Sequence, residues 1–368
     1  MSLMAAAATL LAGVAILYTL AAAALAGRWR APPPAEGAAP SITLLKPLHG
    51  PEPGLEAKLA SFLDQDYAGP VEMICGVARA DDPALAAARA VGATLVVDPR
   101  RHGANGKVSN LINMAEAAQG AVIVLSDDDM EAPRDYLRRL VAALAAPGTG
   151  AVTCLYAGRG DAGGWSRLAA AGISWQFLPN VMIGLATGLA KPCMGSTIAL
   201  SAETLARIGG FARVKDLLAD DHAIGAAVRA LGLEVAVPPM ILTHGCSESS
   251  LSALIAHELR WAATVRLLDP WGYAGSLVTW PLPLALIAIM AGAPTYLALA
   301  ALAARLVLAL RIDRLAGRRT APLWTLPLRD LLGFALFVAS WFVRRVDWRG
   351  ETLRLSEDGR VSAETETA

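Results

Sequence analysis

Residues Met1–Gly27 contain no charged side chain, and Arg28 and Arg30 follow at once. An apolar helix needs about 20 residues to cross a bilayer, so this run is long enough. A cleaved leader would carry its basic residues ahead of a shorter apolar core of about 7–15 residues. Here they come after it. The order predicts a membrane anchor over 1–27, with Arg28 and the chain beyond it in the cytoplasm. Ala31-Pro32-Pro33-Pro34 through Pro40 reads as a stiff linker over 28–40 leaving that membrane.

The other end repeats the theme. Pro270–Ala304 is 35 residues without a charge, interrupted by Gly292-Ala293-Pro294. That pattern predicts two transmembrane helices within 269–312, joined by a turn, with Arg305 snorkelling to the inner face. Arg311, Arg314, Arg318 and Arg319 mark the loop after them as cytoplasmic. Leu331–Val343 has 13 apolar or small residues closed by Arg344 and Arg345. Runs of about 10–14 are more often interfacial or re-entrant than spanning. The expected topology is three spans, with the middle and the tail cytoplasmic and residues 356–368 disordered.

These two ends account for a composition that is 55% hydrophobic and 17% charged, against about 45–50% and about 25% in soluble proteins. The 32 basic and 32 acidic residues give no net charge. A nucleic-acid partner, which needs a basic excess or face, is not expected. The four cysteines, Cys75, Cys154, Cys193 and Cys246, form no CxxC pair, so neither a zinc knuckle nor a disulfide framework is indicated.

Between the ends, over 41–268, short β-branched runs alternate with Ala-rich stretches of helical period. Strands are expected at 42–45, 71–77, 94–97, 121–125, 151–155, 196–200 and 234–237. Helices are expected at 55–63, 83–91, 108–118, 134–145, 202–207 and 222–231. Such alternation predicts an α/β domain with a mostly parallel sheet covered on both faces. Ligands of these sheets bind beyond the carboxyl ends of the strands. The residues there are Lys46-Pro47-Leu48-His49-Gly50, Asp81-Asp82-Pro83, Gly103-Ala104-Asn105-Gly106-Lys107 and Ser126-Asp127-Asp128-Asp129.

Three successive carboxylates after a buried strand repel one another. One could cap the helix that follows Pro133, but capping needs one acid, not three. Carboxylates together with substrate phosphate oxygens hold Mg²⁺ or Mn²⁺ beside nucleotides. Asp127 and Asp129 form the D-x-D pair, and Asp128 points elsewhere if the segment is extended. Asp220-Asp221 opens a helix, where one acid could act as a cap. His257-Glu258-Leu259-Arg260-Trp261 lies in an amphipathic segment, where Arg260 and Trp261 could anchor at a membrane interface or clamp a diphosphate.

In this order, Lys46–Gly50, Asp81–Pro83, Lys107–Leu111, Asp127–Asp129, Ala219–Asp221 and His257–Trp261 resemble the motifs of the ceramide glucosyltransferase-like family, glycosyltransferase family 21. The closing segment Asp347-Trp348-Arg349-Gly350 with Leu353-Arg354-Leu355 is also similar. Stretches such as His102–Met114 look most like the bacterial branch associated with hopanoid biosynthesis. Two positions depart from the family: His257 stands where Gln or Arg is usual, and the aspartate cluster is D-D-D rather than D-S-D or D-S-G.

The resemblance implies a Rossmann-like GT-A domain with flanking transmembrane helices in a bacterial inner membrane. It also implies an inverting hexosyltransferase that moves a sugar from a UDP-sugar to a membrane lipid. UDP-N-acetylglucosamine and UDP-glucose remain open as donors, and a hopanoid polyol and ceramide as acceptors. By the same resemblance Asp82, with Asp81 second, meets the uridine. Lys46, Pro47, Lys107 and Asp127 belong to the donor site, and Asp127 and Asp129 bind Mg²⁺ or Mn²⁺. Asp221 is the general base, Arg260 stabilises the diphosphate, and Trp261 with His257 borders the reacting groups. His49 is read as structural. A processive polysaccharide synthase would need more spans, and an inactive scaffold would not need the acids.

Overall fold

The expected β-branched runs form strands, and their order places the chemistry. The computed structural model describes residues 2–29, 31–32, 34, 37–343, 345–348, 351–355 and 361–363. Strands β1 (Ile42–Pro47), β2 (Val71–Val77), β3 (Thr94–Val97) and β4 (Val122–Leu125) are linked through helices Leu55–Leu63, Ala84–Ala90 and Gly106–Ala115. β1 runs parallel to both β2 and β4, and β2 parallel to β3. The chain thus builds outward from β1 to β3, then returns to set β4 on the other side of β1. That reversal opens a crevice at the carboxyl ends of β1 and β4, where Lys46 and Asp127–Asp129 sit. β1 is buried along its whole length, as expected of a strand covered on both faces.

Short β5 (Met130–Glu131) is followed by β6 (Thr149–Thr153), β7 (Leu155–Gly160), β8 (Ile198–Ser201), β9 (Glu234–Ala236) and β10 (Ile241–Cys246). The seven-stranded sheet, in the order β3-β2-β1-β4-β8-β6-β9, is mostly parallel, as expected, with β8 running against its neighbours. β8 is antiparallel to β4 and β6, whereas β6 and β9 are parallel. Strand–helix alternation does not encode direction once the connection is not a simple crossover, and β8 follows a long helical excursion. β10 pairs antiparallel with β5. Leu45, Ile74, Leu111, Leu125, Ile198 and Val228 lie in the shared core.

The sheet belongs to a unit made of residues 30–156, 191–247 and 359–368; residues 1–29, 157–190 and 248–358 form a second unit. The stretch 41–268 contributes to both units. Residues 157–190 and 248–268 join the helical unit, and helix Leu251–Leu268 packs against helix Leu326–Ser340.

In the helical unit, Leu3–Ala26 buries Ala5, Ala12, Ala15, Ala22, Ala23 and Ala26 and exposes Leu3, Leu10, Leu17 and Leu20. A water-soluble helix does the reverse. Small residues inward allow close helix approach, and leucines outward suit lipid. Ala12 and Ala15 pack with Leu282, Ala285, Ala288, Leu297 and Ala301. Among the described residues, three helical stretches are long and apolar enough to cross a membrane: Leu3–Ala26, Gly164–Thr187 and Leu323–Ser340. Pro270–Thr279 and Pro281–Met290, bent by 71°, would together make a fourth.

This set differs from the expected one. Pro270–Ala304 does break at Gly292, whose φ of 100° is left-handed territory that glycine enters without strain. It also breaks at Trp280, ahead of Pro281. Gly164–Thr187 had no expected element, because Ser174, Gln176 and Asn180 interrupt its apolar run. Each has a partner: Gly158 N–H donates to Ser174 Oγ, Gln176 Nε2 donates to Thr279 Oγ1 at 2.7 Å, and Tyr18 donates to Asn180. Residues 331–340 of the apolar run belong to helix Leu326–Ser340, which begins ahead of Arg329 and Asp330 because both are neutralised. Arg329 pairs with Glu258 at 2.7 Å, and Arg305 with Asp330 at 2.7 Å.

Arg305 therefore does not snorkel. It is 2% exposed, grips Asp330 through Nε and Nη2, and donates Nη1 to the Trp175 carbonyl. Removing one partner of a buried pair strands the other charge at about 3–5 kcal/mol. Asp330→Ala should accordingly lower the melting temperature in detergent sharply. The matched change Arg305→Met with Asp330→Leu should lower it less. A wild-type melting curve for Asp330→Ala would contradict this account.

Beyond Val343, Arg345–Trp348 and Glu351–Leu355 pair antiparallel, while Arg349 and Gly350 lie outside the described residues. A short strand, Val361–Ala363, falls within the stretch expected to be disordered. The remainder of that stretch is also outside the described residues.

Candidate active site

Lys46, one residue before the end of β1, has its side chain buried. Its Nζ donates to Ser126 Oγ and to the Asp127 carbonyl, both at 3.0 Å, and lies 3.2 Å from the centre of the Phe62 ring. Burial lowers its pKa to about 7, against the pull of Asp128, Asp127 and Asp129. Lys46 thus holds the backbone of the aspartate turn. Pro47 is buried as well. Asp82 accepts the Gly50 amide on both oxygens at 3.1 Å and the Ala84 amide at 2.9 Å, so it ties the loop after β1 to the loop after β2. Asp81 points outward to Arg79. His49 is exposed.

Asp128 and Asp129 lie in a turn, not extended chain, so strict alternation of Asp127, Asp128 and Asp129 does not apply. Asp127 accepts from Lys107 Nζ at 2.7 Å, and Lys107 reaches Asp220 at 3.4 Å. The loop before Lys107 explains this meeting. Asn105 caps helix Gly106–Ala115 by accepting from Val108 N–H and donates its own amide to the Leu217 carbonyl. The Ala104 amide donates to Asp216. A Cβ on Gly103 would stand 2.6 Å from the Lys215 carbonyl. Residues 103–107 are thereby strapped to 215–217, just ahead of Asp220 and Asp221.

Asp220 is buried and Asp221 half-buried. Helix Asp220–Ala230 starts after Ala219 without a side-chain cap, so neither acid takes the alternative role of N-cap. Asp221 accepts the Gly195 amide at 2.9 Å and the His222 amide at 2.7 Å. The Gly195 carbonyl in turn accepts the Asp127 amide at 3.1 Å.

Charge is concentrated here. Burial raises the Asp127 carboxyl above its usual range; Asp129 and Asp220 add to this, against Lys107. Asp220 is raised by burial and by Asp221. Burial opposes the charge on Lys107, but Asp127, Asp220 and Asp221 outweigh it and raise its pKa. Asp129 meets His244 Nε2 at 3.2 Å. Burial works against a charged His244, yet Asp129 raises it well above the usual value. His244 stacks on Tyr156, with ring centres 5.5 Å apart.

A divalent cation fits this donor set. Asp127 and Asp129 offer hard carboxylate oxygens, and Asp220 and Asp221 add two more acids beside the single Lys107 ammonium. Among the described residues no three His, Cys, Asp or Glu side chains form a metal cage. The protein would then supply carboxylates from D-x-D, with phosphate oxygens and water completing the shell, as is usual for Mg²⁺.

Gly195 and His244 were not singled out from sequence. Gly195 sits in Met194-Gly195-Ser196 ahead of β8, and His244 in β10, a strand absent from the expected set. His257, Arg260 and Trp261 lie on helix Leu251–Leu268 of the helical unit. There His257 Nδ1 meets Glu248 at 2.5 Å and packs edge-on against Trp261 at 4.6 Å. The Arg260 carbonyl accepts from Thr264.

Comparison with known proteins completes the picture. Among solved structures, the chain is similar to the mannosyltransferase PcManGT from Pyrobaculum calidifontis, solved with GDP-Man and Mn2+. Identity is 23% and the TM-score 0.52, covering 92% of this chain and 98% of that one. It is also similar to glucosyl-3-phosphoglycerate synthase from Mycobacterium tuberculosis, solved with Mn2+, UDP-glucose and phosphoglyceric acid. There identity is 19% and the TM-score 0.41, covering 62% of this chain and 79% of that one. The likeness to the first is one of fold, and the sheet domain is of the Rossmann-like GT-A type. The family model for glycosyl transferase family 21 matches residues 6–361, a span that takes in the strand-end acids, Lys107 and the Arg260-Trp261 pair. This chain is a glycosyltransferase and belongs to glycosyl transferase family 21.

Proposed function

We propose that the protein is a membrane-bound inverting transferase that moves one sugar from UDP-N-acetylglucosamine or UDP-glucose to a hydroxyl of a membrane lipid, a hopanoid polyol. The observation that carries this reading is the meeting of Asp127, Lys107, Asp220 and Asp221 around Gly195, at the carboxyl end of β4. The lipid acceptor is supported by the small-inside, leucine-outside helix Leu3–Ala26. A lipid leaves the bilayer at a cost of about 0.8 kcal/mol per CH₂ group, so the enzyme must work where the lipid lies. The basic residues after Gly27 support a cytoplasmic site at a bacterial inner membrane.

Asp221 takes the proton of the acceptor hydroxyl as its oxygen attacks the anomeric carbon. The bond from that carbon to the β-phosphate oxygen breaks, and UDP leaves with the electron pair. Mg²⁺ or Mn²⁺ held by Asp127 and Asp129 would supply Lewis-acid stabilisation of the leaving diphosphate; the GDP-Man and Mn2+ complex of PcManGT supports a divalent ion. Lys107 holds Asp127 against Asp220 and adds positive charge near the phosphates. Asp82 shapes the loop at Gly50 for the uridine. By the family resemblance, Arg260 stabilises the diphosphate and Trp261, backed by His257, borders the acceptor.

UDP release by purified protein, with Mn²⁺ and each UDP-sugar in turn, tests this reading. Release should need a polyol lipid in the micelle and be negligible with lipid that lacks hydroxyls. Release indifferent to the lipid would sink the acceptor assignment, and release with ceramide alone would move it to sphingolipids.

A further inference from the structure

We infer that Gly195 is a positioning residue whose missing side chain sets the place of the Asp127 carboxylate relative to Asp221. The inference rests on the roles proposed above for Asp127 and Asp221.

Gly195 touches both acids through its backbone. Its amide donates to Asp221 Oδ2 at 2.9 Å, and its carbonyl accepts the Asp127 amide at 3.1 Å. On its open side it touches the side chains. A Cβ there would stand 2.5 Å from Asp127 Oδ2 and 3.1 Å from Lys107 Nζ. The first distance is one that real Cβ atoms do not tolerate, so something must move. The atoms in the way are the ends of two side chains, not backbone, and Gly195 is not among the glycines with positive φ. Alanine can therefore keep the local chain path and both backbone hydrogen bonds while pushing the Asp127 carboxylate and the Lys107 ammonium aside. A single methyl group would separate the fold of this seam from its chemistry.

Mn²⁺ binding in the presence of UDP, followed by electron paramagnetic resonance, reads this without turnover. Gly195→Ala should weaken Mn²⁺ at least about tenfold, the lower end of what losing a supporting partner of a metal ligand produces. In an Asp127→Ala background the carboxylate is gone, and the flexible Lys107 end, no longer held by it, can give the few tenths of an ångström the methyl needs. Gly195→Ala should then change neither Mn²⁺ affinity nor melting temperature, because effects that act through one group do not add. If Gly195→Ala alone fails to fold, the double variant should fold as Asp127→Ala does.

Wild-type Mn²⁺ affinity in Gly195→Ala would overturn the inference, provided Asp127→Ala binds weakly. A double variant that folds or binds worse than Asp127→Ala would also overturn it, since the methyl would then be striking something else. Wild-type affinity in Asp127→Ala itself would instead remove the cation assignment, and this inference with it.

Discussion

Asp127→Ala should abolish sugar transfer while leaving the fold intact. The carboxylate is a partner of Lys107 at 2.7 Å, but Lys107 keeps Asp220 at 3.4 Å, so the change does not strand a buried cation. It also relieves repulsion, because burial and the neighbouring Asp129 and Asp220 already hold the Asp127 carboxyl above its usual range. The loss should fall on chemistry. Lewis-acid stabilisation of a leaving group is worth several kcal/mol, and at about 1.4 kcal/mol per factor of ten that is on the order of a thousandfold in rate. Turnover of the variant should drop by that much with an unchanged circular dichroism spectrum. EDTA should silence the wild type, and Mg²⁺ or Mn²⁺ should restore it. Full activity after exhaustive EDTA washing would refute the metal assignment.

Asp221→Asn should cut transfer at least about a hundredfold, the lower end of a general-base contribution. Asparagine can still accept one of the two amide hydrogen bonds from Gly195 and His222, so the stability change should be about 1 kcal/mol. It cannot take a proton from a hydroxyl near neutral pH. UDP-sugar binding should survive. Asp220 is a different case, buried and turned to Lys107, so Asp220→Asn should be milder on the rate and should show mainly in the melting temperature. Normal turnover in Asp221→Asn with a collapsed rate in Asp220→Asn would move the base by one residue.

The strand ends were legible because their signal is local. A buried apolar run that stops at Ser126-Asp127-Asp128-Asp129 is odd in itself, and so is an acid pair at Asp220-Asp221. Lys46 shows the limit of that logic. Its place near the end of an apolar strand does not reveal its partners: the Phe62 ring and the Asp127 carbonyl, both contributed by distant segments, turn it inward. Gly195 carries no local mark at all; its role is defined by atoms of Asp127, Lys107 and Asp221. The long apolar helices differ from the expected set for a related reason. Ser174, Gln176 and Asn180 make Gly164–Thr187 look unsuited to a span, and Arg329 and Asp330 appear to cut Leu323–Ser340 short. Partners at Gly158, Thr279, Tyr18, Glu258 and Arg305 remove those penalties, and partners are what a single sequence does not reveal.

The most direct test of the account is the mass of the product. The full-length protein, reconstituted in vesicles containing a hopanoid polyol and supplied with Mn²⁺ and either UDP-N-acetylglucosamine or UDP-glucose, should yield lipid heavier by one sugar residue, in the inverted anomeric configuration, with one of the two donors. The product should be absent with Asp221→Asn on the same time scale. A ladder of sugars on the lipid, a water-soluble polymer, or retention of the donor's anomeric configuration would contradict it.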